Sequence, residues 1–203
     1  SSVRKDLAAA ADLTPYAGIV VRLETTRAHE GEGDGVRPPL GLHLQFHDTV
    51  SRNMGFASAF AVPLASAVGE DTSVFLPLSS FDRGSRMGYT CSNCRIDFSA
   101  VDEMDIYVLF QEGPFDIKVK SITAVESPVS HPSPVIEVGS ADEIRALIAS
   151  TTQSGGGLYN QGYVGLCNAI YRSTLNTLLA ARASGGGADA EGAVTAALRD
   201  AIC

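Results

Sequence analysis

Four cysteines and four histidines are the side chains in this sequence best equipped for chemistry, and their spacing limits what they can do. Cys91 and Cys94 form one CxxC in the loop after Gly88. A zinc site needs four ligands, and no second CxxC accompanies this one. A thioredoxin-like motif would follow a parallel-sheet strand at a helix N-terminus, and this one does not. The pair reads first as a local disulfide pinning a loop, with two reduced thiols, or redox or metal work, as alternatives. Cys167 and Cys203 flank Gly185–Gly187 at about 18 residues, so two antiparallel helices would bring them level, roughly 27 Å from the turn. That geometry predicts a disulfide closing the open end of a helical hairpin. His43 and His47 share a strand face but stand about 13 Å apart along it, too far to hold one metal without help. They are expected to be solvent-facing polar residues. His29 and His131 fall in loops without ligand neighbours, and the acidic run from Glu24 to Asp34 reads as a solvated loop before it reads as a calcium pattern. Ser79 and Ser80 have no His or acid at motif spacing and read as turn residues. No GxSxG, HExxH, P-loop or GxGxxG occurs. No catalytic, cofactor or metal residue is therefore assigned, and the chain reads as a binding or structural module rather than an enzyme.

The elements that would position these groups change character along the chain. Leu40, Leu42, Leu44 and Phe46 alternate with Gly41, His43, Gln45 and His47, the pattern of a half-buried strand. Ile19–Leu23, Ile106–Phe110 and Phe115–Val119 alternate likewise, with weaker strands at Phe56–Val62 and Val74–Leu78. Beyond Val119 the phase slips to Ile122 and Ala124, which predicts a β-bulge near Ser121. Turn-forming stretches separate these runs, and no helix-length pattern lies between them. The expected architecture is mainly β, an antiparallel sandwich or jelly roll. Residues 127–139 hold a Pro-rich linker. After it, Ser140 and Glu143 form a capping-box signature for a helix, with a break predicted at Gly155–Gly157. Tyr163, Cys167, Ile170, Thr174 and Leu178 trace a helical stripe, and Ala190–Ile202 a last short helix. The reading is a β-domain over 1–126, a linker over 127–139 and a helical region with a hairpin over 140–203.

Composition narrows the function classes. The chain has 203 residues, 45% of them hydrophobic and 19% charged, enough to build a core. A formal charge of -8 argues against nucleic acid, whose phosphates would be repelled. No apolar run approaches the roughly 18 residues of a spanning helix, so any membrane association is expected to be peripheral. The first residue is Ser, which leads us to expect a processed product or a fragment.

Three segments resemble the complex I intermediate-associated protein family: Tyr16–Leu23, Val74–Phe81 and Phe115–Ala124. Pro77 and Phe81 match the family's strand that ends at a turn. Gly113, Phe115, Ile117, Val119 and Ile122 match its closing strand, phase slip included. The likeness covers roughly residues 1–126 and implies a jelly roll of the galactose-binding, carbohydrate-module type. The family's first strands are missing at Ser1–Arg4, so the native protein is expected to extend further, or a partner to supply the missing edge. The loop with Cys91 and Cys94 lies outside the family pattern. In the tail, Leu158–Gly162, Cys167 and Ile170–Arg172 are similar to a helical element of plant and algal plastid proteins.

These resemblances imply an accessory or assembly protein that docks on subunits of a membrane bioenergetic complex. A photosystem in the chloroplast, with the thylakoid and its lumenal side as the implied location, comes first; assembly of mitochondrial complex I is the alternative. A carbohydrate-binding module, with Tyr89 and Tyr107 as candidate sugar platforms, is the second alternative.

Overall fold

A computed structural model describes residues 2–25, 38–51, 54–62, 71–81, 84–86, 89–91, 94–108, 116–128, 138 and 140–183. Among the described residues nine strands precede two helices: β1 (Ser2–Ala11), β2 (Gly18–Thr25), β3 (Leu40–Asp48), β4 (Gly55–Val62), β5 (Asp71–Pro77), β6 (Gly84–Arg86), β7 (Tyr89–Cys91), β8 (Val101–Tyr107), β9 (Ile117–Val125), α1 (Ala141–Asn160) and α2 (Val164–Ala183). The strands form a six-stranded sheet, ordered β1-β8-β3-β4-β6-β7, and a three-stranded sheet, β5-β2-β9. Every pairing is antiparallel. The expected β-sandwich with a helical appendage is therefore present.

The core lies between the sheets because alternation sends one face of each strand inward. Leu40, Leu42, Leu44 and Phe46 of β3 meet Ile19, Val21 and Leu23 of β2, with Phe56, Phe60 and Val62 from β4. Phe81 is the hinge of this core. Its ring lies 4.9 Å from Phe46 and 6.4 Å, edge to face, from Phe98. Pro77 ends β5, and Ser80 in the 3-10 turn that follows donates to the Pro77 carbonyl and bonds the buried Ser58 hydroxyl at 2.7 Å. Ile117 and Ile122 pack on the same core from β9. The register between β2 and β9 shifts where Arg22 faces Ser121 and Leu23 faces Val119, so Lys120 is the extra residue of the expected bulge. Its ammonium reaches Glu24. Gly113 and Phe115 lie outside the described residues.

Two points differ from the sequence reading. The first is β1, a strand the sequence reading does not include because Lys5–Ala11 lacks alternation; pairing with β8 makes it one. Second, Gly155–Gly157 does not break a helix. Helix α1 runs through it, opened by the Ser140–Glu143 capping box and closed at Gly162 (φ 86°). There the Gly162 N–H donates to Tyr159 and the Tyr163 N–H to Leu158, the paired bonds of a Schellman cap. Gly155 survives mid-helix because a Cβ there would sit 2.5 Å from the Tyr171 ring of α2. Within the described residues α1 packs against α2 as a hairpin turned at Gly162, and the expected turn at Gly185–Gly187 is outside them. Residues 184–203, including the expected last helix and Cys203, lie outside them.

Helix α2 seats on the outer face of the six-stranded sheet. Leu166, Cys167 and Ile170 pack on Ala59 and Ala61 of β4, and Leu166 lies over Gly41 of β3, where a Cβ would come within 2.6 Å of it. Small residues at these three positions let the helix approach. Ile144 and Leu147 of α1 then pack on Leu178 of α2. No described helix is long and apolar enough to cross a membrane. Filling the seat tests the docking. Gly41→Val is expected to lower unfolding stability in urea by about 1–3 kcal/mol through overpacking against Leu166. Gly156→Ala, where nothing lies within 4 Å of the new Cβ, should raise it by about 0.5–1 kcal/mol.

Candidate functional site

Strand β3 is buried on both faces, which alternation alone does not reveal. Its second face carries Gly41, His43, Gln45 and His47, and at the latter three positions it meets β8 in direct register: His43 with Tyr107, Gln45 with Asp105, His47 with Glu103. Strand β1 extends the same rows, with Arg4 beside Asp105. Seven polar side chains from three strands thus converge on one patch. Such pairs stand about 4.5–5.5 Å apart at Cβ, within reach of direct bonding.

The bonding runs along the patch as a chain. The Tyr107 hydroxyl donates to Gln45 Oε1 at 3.0 Å, and the Gln45 amide nitrogen lies 2.8 Å from His47 Nε2. The same His47 nitrogen lies 3.2 Å from Asp105 Oδ2 and 3.4 Å from Glu103 Oε1. Arg4 closes the outer side, its Nε donating to Asp105 Oδ1 at 3.2 Å and its Nη2 held by Glu103 Oε1. The facing carboxylates of Asp105, then Glu103, raise the Arg4 pKa above its ordinary value. Gln45 is itself aimed by space: its amide lies over Gly55, where a Cβ would come within 2.0 Å of it. With its imidazole 12% exposed, His47 remains within reach of solvent.

The other histidine is sealed. His43 stacks on Tyr107 with ring centroids 5.0 Å apart and planes 23° apart, and its Nδ1 has no hydrogen-bond partner. It stands opposite Ala59, on which Gly165 in the first turn of α2 rests. Burial pushes the His43 pKa down to about 4, so the ring is neutral near pH 7. Burial, then the nearby charges of Asp105 and Tyr163, pushes Tyr107 up to about 12.

The expectation that His43 and His47 face solvent is overturned, because α2 covers one and strands β8 and β1 flank the other. Glu103, Asp105, Gln45 and Arg4 escape the sequence reading as site residues, and Tyr107 enters it only as a candidate sugar platform. The alternation around Ile106 places Glu103, Asp105 and Tyr107 on one face, yet nothing local says that this face adjoins β3. Cys94 is disulfide-bonded, while the Cys91 side chain lies outside the described residues. Cys167 is a free thiol, buried against Ala59 and Ala61. The stripe bearing Cys167 faces the sheet, and Cys203, its expected partner, lies outside the described residues. Burial pushes the Cys167 thiol pKa up. Asp48, fully buried at the end of β3, accepts from the backbone N–H groups of Val50 at 2.9 Å, Asp97 at 3.0 Å, and Ser51, and so anchors two loops.

No family model and no curated protein matches the chain. Among solved structures it is similar to one described as the structure of PfGH50B, with 12% identity and a TM-score of 0.41. The match covers 76% of this chain but 25% of that one, so the chain spans about a quarter of its length. A likeness at that score carries no functional argument.

The sealed histidine sets a pH dependence. Its folded pKa lies below the ordinary 6.5, so its stabilising contribution is full above that value and is lost as pH falls toward about 4. The whole shift corresponds to about 3 kcal/mol. Urea unfolding of the wild type should show this acid loss, and His43→Gln should show a correspondingly shallower slope over the same window. Equal slopes would contradict the burial of a neutral ring.

Proposed function

We propose that this chain is a non-catalytic docking protein of a multi-subunit membrane bioenergetic complex, a photosystem first, and that its sandwich is a galactose-binding-like jelly roll. The observation that carries the docking reading is the edge of the large sheet. Strand β1 ends the six-stranded sheet, is exposed along nearly its whole ten-residue length, and has no described strand beyond it. An open edge of that length is a template for strand addition by a partner. Its Ala8–Ala11 end has small side chains that leave the backbone accessible. A second surface supports the reading: Leu175 and Leu179, one turn apart on α2, are 44% and 63% exposed.

The kind of complex rests on the resemblances of the β-domain and of the Leu158–Arg172 segment. A disulfide at Cys94 fits an oxidising compartment such as the thylakoid lumen. The mitochondrial complex I alternative uses the same two surfaces. Support for a carbohydrate-binding module is weaker, because the Tyr107 ring is stacked on His43 rather than presented outward; the Tyr89 side chain lies outside the described residues.

The test is isolation of the native protein from membranes in mild detergent. We expect it to travel with a multi-subunit complex containing chlorophyll proteins, and Leu175→Glu with Leu179→Glu to release it while the fold persists by circular dichroism. Respiratory subunits in that complex would select the mitochondrial alternative. Recovery of the chain alone would overturn the reading, and sugar binding at about millimolar or tighter by calorimetry would favour the carbohydrate module.

A further inference from the structure

We propose that His47, Glu103 and Asp105 form a zinc site on the outer face of the six-stranded sheet. Their donor atoms, one imidazole nitrogen and two carboxylate oxygens, all lie within 4.8 Å of one another. The two separations from His47 Nε2, 3.2 Å to Asp105 Oδ2 and 3.4 Å to Glu103 Oε1, are those of a tetrahedral shell. Donors held tetrahedrally at zinc's roughly 2.0–2.2 Å stand about 3.3–3.6 Å apart. Two of the three separations therefore already suit the ion, and the third, between the two carboxylate oxygens, lies within 4.8 Å.

The bonding gives a second, independent reason. His47 Nε2 faces a donor and two acceptors at once. A hydrogen bond from the Gln45 amide requires a lone pair on that nitrogen, whereas a bond to Asp105 requires a proton there. Gln45 Oε1 is already engaged by the Tyr107 hydroxyl, which keeps the amide nitrogen toward the ring and leaves the ring proton on Nδ1. In that tautomer the lone pair, held by the Gln45 amide when no metal is bound, faces two carboxylates, and Arg4 supplies a single positive charge against two negative ones, so zinc binding exchanges the Gln45 hydrogen bond for a metal–nitrogen bond. A divalent cation between the three atoms removes both the repulsion and the charge deficit. Nitrogen with carboxylate oxygen is a donor set suited to Zn²⁺, whereas Mg²⁺ and Ca²⁺ take all-oxygen shells.

Water fills the fourth position, which Gln45 borders. Arg4 Nε stays on Asp105 Oδ1, the carboxylate oxygen turned away from His47, and so orients this ligand from outside the shell. The ion has a structural role: it ties β3 to β8, the pair at the centre of the sheet that carries the helical hairpin. This site is separate from the β1 edge and the α2 leucines, and it stands or falls independently of the docking reading.

The experiment uses the tag-free full chain, stripped with a chelator and titrated with Zn²⁺ against a chromogenic competitor. One equivalent should bind and raise the melting temperature. Asp105→Asn and Glu103→Gln, which keep side-chain shape, should each weaken binding by more than the roughly 10–100-fold cost of losing an outer-shell partner. The double variant His29→Ala, His131→Ala should bind as the wild type does. X-ray absorption of the wild-type complex, which needs no variant, should show imidazole nitrogen and oxygen around zinc. Three outcomes would overturn the proposal: no stoichiometric uptake, as a proton-bridged cluster with the Gln45 carbonyl turned to His47 requires; affinity unchanged in the carboxylate variants; or sulfur in the shell.

Discussion

Strand β3 carries apolar packing on one face and must be covered on the other, and most of the molecule is arranged around that double burial. On its inner side Leu40, Leu42, Leu44 and Phe46 complete the core with β2 and β4. At roughly 1.5–3 kcal/mol for each large apolar side chain removed from water, this face fixes the register of the strand, since a slip of one residue would exchange the two faces. The outer side then holds whatever the alternation leaves there: a glycine, two histidines and a glutamine. Each needs a different cover.

At the Gly41 end the cover is a helix. Gly41, Ala59 and Ala61 form a shallow seat, and the absence of side-chain bulk lets Leu166 and Ile170 of α2 approach the backbone. The same device recurs where α1 meets α2, with Gly155 under Tyr171. Glycine costs helix stability through conformational entropy, and close packing between the helices offsets that cost. At the His47 end the cover is electrostatic. Two carboxylates from β8 and a guanidinium from β1 surround the imidazole, so charges that would be costly singly are placed among opposite charges and hydrogen bonds. Between the two ends, His43 receives an aromatic face instead of a hydrogen bond, which is why it is held neutral.

This division separates the surfaces available for function. The middle of the large sheet is closed by its own helix and by its own ion cluster. What stays open is the periphery: the free edge of β1 and the outward leucines of α2. These margins are the surfaces that the proposed docking role uses.

Local patterning along the chain was enough to place β2, β3, β4, β5 and β9 with their inward faces, the Lys120 bulge to within one residue, and the capped start of α1. Period-2 alternation and the Ser140–Glu143 spacing are properties of neighbouring residues and need no partner to be read. It also set Cys91 and Cys94 apart as a local pair. Only the tertiary structure decided what lies across from each face. His47 and Asp105 bond across 58 positions of sequence, and their meeting depends on β8 lying beside β3 with β1 beyond it. Nothing in either segment encodes that adjacency. The same reason governs Gly155 and Cys167. A triple glycine reads as a break until Tyr171 occupies the space it leaves, and a cysteine on a helical stripe shows its burial only when the stripe is found against the sheet.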